Sequence, residues 1–265
     1  MSTLTDKNDA RQILAAFTQL DIKPPAAVAA AYERTTRISA GTQNLAPKDE
    51  DLYHAVTSAL DGRRDPAADE EVQRILTAAA IANQGVMMGV ETILYDQLRN
   101  VVTEHADQIM TALAKHFEAA ATTLTAAHQT LGNVPLEDTA TIVRKGGDAA
   151  KIWGQAQQAV AVVNTTLSGW ISLAALTRLA PNHPRYAVLR LAPVTFEQWG
   201  SLELTERKIS PWEAVLLRLP LALPTFEQYH QRVETIEQGN QRIAQHAEQD
   251  RQAYLAGRRP PVHAN

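Results

Sequence analysis

Between Pro66 and Pro135 the chain contains no proline, and up to Leu131 its apolar residues recur every three or four positions. Val86, Val90, Leu94, Leu98, Val102, Ile109, Leu113, Phe117, Ala120, Leu124, Ala127 and Leu131 therefore share one slowly rotating helix face. At 1.5 Å per residue, a single helix from Pro66 to Leu131 would be roughly 100 Å long, whereas globular helices usually run to about 10–14 residues. Such an element belongs to a helical hairpin or bundle, because its apolar face has to be covered by another helix. Asp65 before Pro66 offers a capping oxygen and a pre-set first turn, and Asp69, Glu70 and Glu71 lie where the helix dipole favours negative charge. Leu131-Gly132-Asn133-Val134-Pro135 is the matching stop, with a glycine free to take positive φ and a proline suited to open the next helix.

A second helical pattern follows from Leu136 to about Leu179, through Ile142, Ile152, Ala156, Ala159, Val163, Leu167, Trp170, Leu173 and Leu176. A short connection between two such helices favours antiparallel neighbours, so the expectation is a helical hairpin with its tip near Gly132. Gly146 and Gly147 each cost about 1 kcal/mol against alanine inside a helix and predict a bend or a frayed turn. Ala119 to Thr130 is mostly Ala and Thr, which marks the tip as the mobile end and places the buried base in the Val, Leu and Trp region.

Three shorter amphipathic helices are expected before the hairpin, at Asp9–Leu20, Pro25–Ser39 and Lys48–Leu60, punctuated by Pro24-Pro25, Gly41 to Pro47 and Asp61-Gly62. After it, Pro181-Asn182-His183-Pro184 breaks the chain, and Tyr186 to Val194 reads equally as strand or loop. Thr195-Phe196-Glu197-Gln198, Ser210-Pro211-Trp212-Glu213 and Thr225-Phe226-Glu227-Gln228 are three capping boxes, each predicting a helix start.

The last helix, Thr225 to about Ala256, carries a heptad through Phe226, Tyr229, Val233, Ile236, Asn240, Ile243, Ala247, Asp250 and Tyr254. Tyr229, Val233, Ile236, Asn240 and Ile243 are the candidate self-association residues, with Asn240 able to fix register in a coiled coil through a buried amide. The competing reading packs this helix on its own body. The resulting organisation is 1–64 short helices, 65–180 hairpin, 181–257 C-terminal helices and 258–265 a disordered tail with two prolines.

Composition narrows the function classes. With 265 residues and 45% hydrophobic content the chain has a real core, yet only 5% is aromatic, which suits helix packing better than an aromatic-lined ligand cavity. A net charge of −4 gives no basic bias toward nucleic acid. Zero cysteines exclude thiolate chemistry, and the polar start Met1 to Arg11 lacks a signal-peptide core, so a cytoplasmic or virion-associated location is expected. Ile152 to Thr177 is uncharged, and Ala159 to Leu176 approaches bilayer length, but Asn164, Thr165, Thr166, Ser168 and Ser172 favour a buried bundle helix over a membrane anchor.

No catalytic motif emerges. Glu227 and His230 form a Glu-x-x-His pair, whereas a di-metal carboxylate bundle needs two such pairs with further glutamates, so no metal or cofactor is expected. Asp51-Leu52-Tyr53-His54 is explained by acids at a helix start. His105 and His128, near the stripe, are too far apart to share an ion, although either could sense pH. Arg144-Lys145-Gly146-Gly147-Asp148 lacks the spacing of a phosphate-binding loop, and Gly85-Val86-Met87-Met88-Gly89 predicts close helix packing.

In its Ala-rich helices, Arg-rich turns and uncharged helical stretches, and in Leu20-Asp21-Ile22-Lys23-Pro24-Pro25 followed by an Ala/Val helix, the chain resembles uncharacterised helical proteins of actinobacterial phage and prophage structural gene clusters. The resemblance implies a virion component or capsid-assembly factor. The reading is thus an all-α, elongated helical hairpin on a small bundle with a coiled-coil-like C-terminal helix. It is expected to act as a non-enzymatic structural or assembly protein, pairing with itself or with other structural proteins. The alternatives are a membrane-associated protein anchored by 159–176 and a helical enzyme with a site in the bundle base.

Overall fold

A computed structural model describes residues 3–43, 47–82, 84–181, 183–203 and 209–255. The described residues form eleven α-helices and one 3₁₀ helix, so the all-α class holds. They divide into two compact units, Met1–Ile109 and Met110–Asn265, the division falling within a helix. The proposed tail, 258–265, lies outside the described residues.

In the first unit, α1 (Thr3–Gln19) and α2 (Ala26–Gln43) pack on α5 (Gln84–Glu104). Ile13 and Phe17 of α1, Leu20 just after it, Val28 of α2, and Leu94, Leu98 and Val102 of α5 are buried. Polar groups join these helices: Ser39 Oγ donates to Glu91 Oε1 at 3.0 Å, and Arg99 lies 3.6 Å from Asp6 while also pairing with Asp96. Separately, α3 (Asp49–Asp61) pairs with α4 (Glu70–Ile81) around Ala55, Val72 and Ile75. Of the three short N-terminal helices, α2 and α3 start within one residue of their expected positions, while α1 starts at Thr3, well before the expected Asp9.

The second unit contains α6 (Ala106–Leu131) from Met110 onward, α7 (Thr139–Arg144), α8 (Gly147–Thr177), the 3₁₀ helix (Pro184–Arg190), α9 (Phe196–Glu203), α10 (Pro211–Leu216) and α11 (Phe226–Leu255). Its core joins Phe117, Leu124 and Leu131 of α6 with Ala156 and Val163 of α8, Leu191, and Trp212 and Val215 of α10. All three capping boxes form. Thr195 and Gln198, Ser210 and Glu213, and Thr225 and Gln228 exchange reciprocal side-chain to backbone bonds of 2.9–3.2 Å. The undecided segment at 186–194 opens as part of the 3₁₀ helix, with Tyr186 leaving helical geometry at ψ 21°.

The single long helix is corrected to three, α4, α5 and α6. Its start moves to Glu70: Asp69, not Asp65, is the cap and accepts from the N–H groups of Glu71 and Val72, while Asp65 closes only a turn to Ala67. The first break follows Ala82, the C-cap of α4. Covered by different neighbours, α3 for α4 and α1 with α2 for α5, the two stripe segments need not stay in phase, and Val86 of the predicted stripe is 49% exposed. The second break is at His105, whose Nδ1 lies 3.0 Å from the Val101 carbonyl, while its N–H is shared between the Val101 and Val102 carbonyls. A side chain competing for its own helix's carbonyl is a recognised cause of a kink. Gly85 and Gly89 do not mark tight packing: both are exposed, and a Cβ at Gly89 would meet nothing within 4 Å.

The return helix is also corrected, beginning at Gly147 rather than Leu136. The glycine pair does interrupt the helical run, but as a boundary rather than a bend or a frayed turn: Gly146 is the N-cap of α8 with φ +100°, a conformation that L side chains resist. Gly132 ends α6 at φ +65°, as expected of the stop signal. The connection between α6 and α8 is not a loose tip. Leu131, Leu136 and Ile142 are buried, and Lys145 Nζ, Trp153 Nε1 and Trp212 Nε1 donate to the carbonyls of Leu131, Leu136 and Val134 at 2.8–2.9 Å.

Candidate interaction surfaces

The C-terminal helix α11 is fastened along its first half by α8 and the 3₁₀ segment. Trp170 of α8 donates from Nε1 to the Pro224 carbonyl at 2.8 Å, positioning the start of α11, and its ring meets Phe226 and Tyr229 at centroid distances of 5.2 and 5.0 Å. Arg232 reaches back to the carbonyls of Leu189 and Ala222, at 2.7 and 3.2 Å, and Tyr186 donates to Glu237 Oε1 at 3.2 Å. Burial holds the ionisation of Tyr229 above its ordinary range, against the opposing effect of Arg190, and lowers the affinity of Arg190 and Arg232 for their protons. The Tyr229 hydroxyl is buried and has no hydrogen-bond partner among the described residues.

At Gly239 the fastened half ends in a close contact. A Cβ there would overlap Phe196 Cδ2 and lie 2.5 Å from Cε2, so the hydrogen of glycine is what lets the Phe196 ring sit against α11. Beyond it, every residue from Gln241 to Gln252 is exposed. Ile243 is 59% and Tyr254 75% exposed.

The five candidate self-association residues therefore have different surroundings. Tyr229, Val233 and Ile236 are buried within their own chain, at 0%, 7% and 0% exposure, Asn240 is half-buried, and Ile243 is exposed. The heptad is one continuous seam in sequence but has two environments in the structure.

A second surface lies along the Ala/Thr-rich stretch of α6 and the facing part of α8. There a groove of about 760 Å³ runs from His116 to Thr130 on one wall and from Ile152 to Val162 on the other. Its lining has no Asp, Glu, Lys or Arg. Ala120, Ala127 and Ala159 are buried in it, and Thr122 and Thr123 donate their hydroxyls to the carbonyls of Glu118 and Ala119 at 2.9 and 3.0 Å. Those hydroxyls are satisfied within α6, which makes the wall less polar than its composition suggests. The uncharged run from Ala119 to Ala127 is the legible signal, although the sequence pattern assigns it to a mobile tip rather than a groove.

The remaining candidates stay apart or are used locally. Among the described residues no three His, Asp or Glu side chains gather as metal ligands would. Glu227 and His230 are both exposed or nearly so, with His230 Nδ1 2.9 Å from the Phe226 carbonyl. His128 lies beside Asn133 and Trp212. In the Arg144-Lys145 turn, Arg144 bonds Ala140 and Thr141, and Lys145 holds the end of α6. A second concavity, lined by Arg64, Asp65, Asp69, Glu70, Glu71 and Arg74, is formed at the N-terminal turn of α4, where Asp69 is engaged by the helix amides and Arg64.

Among the described residues one helix, α8, is long and apolar enough to cross a membrane, and half of its most apolar window is buried inside the protein. Val163, Thr166, Trp170, Leu173 and Leu176, within the uncharged stretch, are all buried. No protein-family model, curated protein or solved structure matches the chain.

Proposed function

We propose that this chain is a non-enzymatic structural or assembly protein that works by helix-to-helix contact, its exposed half of α11 being the element that engages another subunit. The observation that carries this reading is the change of environment at Gly239: a helix held by Trp170, Arg232 and Tyr186 continues as helix to Leu255 while its apolar residues Ile243 and Tyr254 face outward. Short isolated helices are marginal in water, and most helical stability in proteins comes from covering an apolar face. A preformed helix whose first half is anchored lowers the ordering cost of binding with its second half.

The likeness to helical proteins of phage structural gene clusters extends the reading to a virion component or a capsid-assembly factor. The partner is then a second copy or another structural protein of the same assembly. Burial of the uncharged part of α8 favours the bundle over the membrane-anchor reading.

Hydrogen exchange of the full chain at two concentrations tests this. Amides from Gln241 to Tyr254 should exchange rapidly at high dilution and become protected at tens of micromolar, while those around Tyr229 to Ile236 stay protected at both. Equally fast exchange of the distal half at both concentrations would count against self-association.

A further inference from the structure

Building on the reading of α11 as an assembly element, we propose that its exposed half docks in the α6/α8 groove of a second copy of this chain. The two surfaces match in length. From His116 to Thr130 the groove follows α6 for about 21 Å, and from Gln241 to Tyr254 the helix runs about 20 Å.

They also match in size and charge. The groove floor is alanine, at Ala120, Ala127 and Ala159, which allows another helix to approach closely. The helix offers Ile243, Ala244 and Ala247 as a narrow apolar ridge, followed after two turns by Tyr254. Helical spacing turns Arg242 away from that ridge, sets Glu248 one turn after Ala244 at its edge, and places Asp250 and Arg251, of opposite sign, on the stripe between Ala247 and Tyr254, so the segment brings no net charge. It faces a groove whose rim amides, Gln155 and Gln158, can donate to a carboxylate or accept from a guanidinium. A strongly basic or acidic helix would instead lose solvation in an uncharged groove without compensation. Because each copy carries both surfaces, reciprocal exchange between two copies closes a two-fold dimer, and non-reciprocal docking builds a string.

The absence of cysteine gives a clean test. Single variants Thr123→Cys, in mid-groove, and Ala247→Cys, in mid-ridge, are mixed in equal amounts and oxidised gently. A docked helix raises the local thiol concentration, so the mixed disulfide should exceed either homodisulfide by roughly tenfold. In parallel, Ala126→Glu places a carboxylate at an exposed groove position on a helix-favouring side chain; circular dichroism should be unchanged and self-association weakened by at least about tenfold.

Cross-linking of Ala247→Cys only with itself, with Ala126→Glu still associating, would overturn groove docking and leave self-association through α11 standing as a coiled coil. A single-chain mass for wild type at tens of micromolar, with no cross-link above background, would overturn both. Mixed disulfide formation that Ala126→Glu does not diminish would show collision rather than docking and would also overturn the groove.

Discussion

The two halves of α11 share a heptad, a helix and a chain, yet one is enclosed and the other is bare. Up to Gly239 the seam is enclosed, Tyr229 against the ring of Trp170 and Val233 and Ile236 buried; past Asn240 the same seam, in Ile243 and Tyr254, meets solvent. The difference teaches that periodicity identifies which residues share a face without identifying what covers that face. A coiled-coil pattern is satisfied equally by the chain's own body and by a second copy, and here the structure uses the first solution for half of the helix.

The comparison breaks most readily at its most buried point. Ile236→Asp places a carboxylate where exposure is 0%, and should cost about 4 kcal/mol or unfold the second unit outright, read as a lost or sharply lowered urea midpoint. The same change at Ile243, 59% exposed, should alter the stability of the dilute protein by no more than about 0.5 kcal/mol. Comparable losses at both positions would mean that the two halves are not distinct.

Gly239→Ala probes the boundary. The added methyl must displace the Phe196 ring, at a cost of about 1–3 kcal/mol, with altered near-ultraviolet circular dichroism from the neighbouring Trp199, whose ring centroid is 6.2 Å from that of Phe196. An unchanged midpoint would place Phe196 elsewhere in solution.

A smaller effect is expected at Tyr229→Phe. The hydroxyl is buried with no hydrogen-bond partner among the described residues, so removing it should be neutral or stabilising by up to about 1 kcal/mol in thermal melts. A loss beyond about 1 kcal/mol would reveal a partner for that hydroxyl.

The first unit supplies the smallest effect and a control outside the second unit. Asp9 has its proton affinity raised by burial and by Asp6, so its folded pKa lies above the unfolded one and its neutral form favours folding. That contribution is present at acid pH and is lost as pH rises through the folded value. Asp9→Asn should therefore raise the melting temperature slightly at pH 7, by about a degree, with the gain vanishing near pH 3. A gain that persists at pH 3 would assign it to something other than charge.

Local chemistry was the legible part of this fold. The capping boxes at Thr195, Ser210 and Thr225 and the stop at Gly132 depend on residues within one turn of each other, and each formed as its residues dictate. The breaks after Ala82 and at His105 were hidden, because an apolar residue every three or four positions continues through a kink when successive segments have different neighbours. The same limit applies to Gly146: two adjacent glycines mark a helix interruption, but whether the chain bends or begins there depends on a φ of +100° that the residue type permits without requiring. At the candidate surfaces, the exposed residues Ile243 and Tyr254 were on the predicted seam, while the α6/α8 groove required knowing that α8 faces the Ala/Thr stretch.

Sedimentation equilibrium of the full chain from about one to a hundred micromolar, beside Ile243→Asp, tests the central claim most directly. The account predicts a wild-type mass that climbs with concentration to at least twice 29.0 kDa, and an Ile243→Asp variant that stays folded at 29.0 kDa throughout. A wild-type protein that remains at 29.0 kDa across the whole range, or a variant that associates as strongly as wild type, would contradict it.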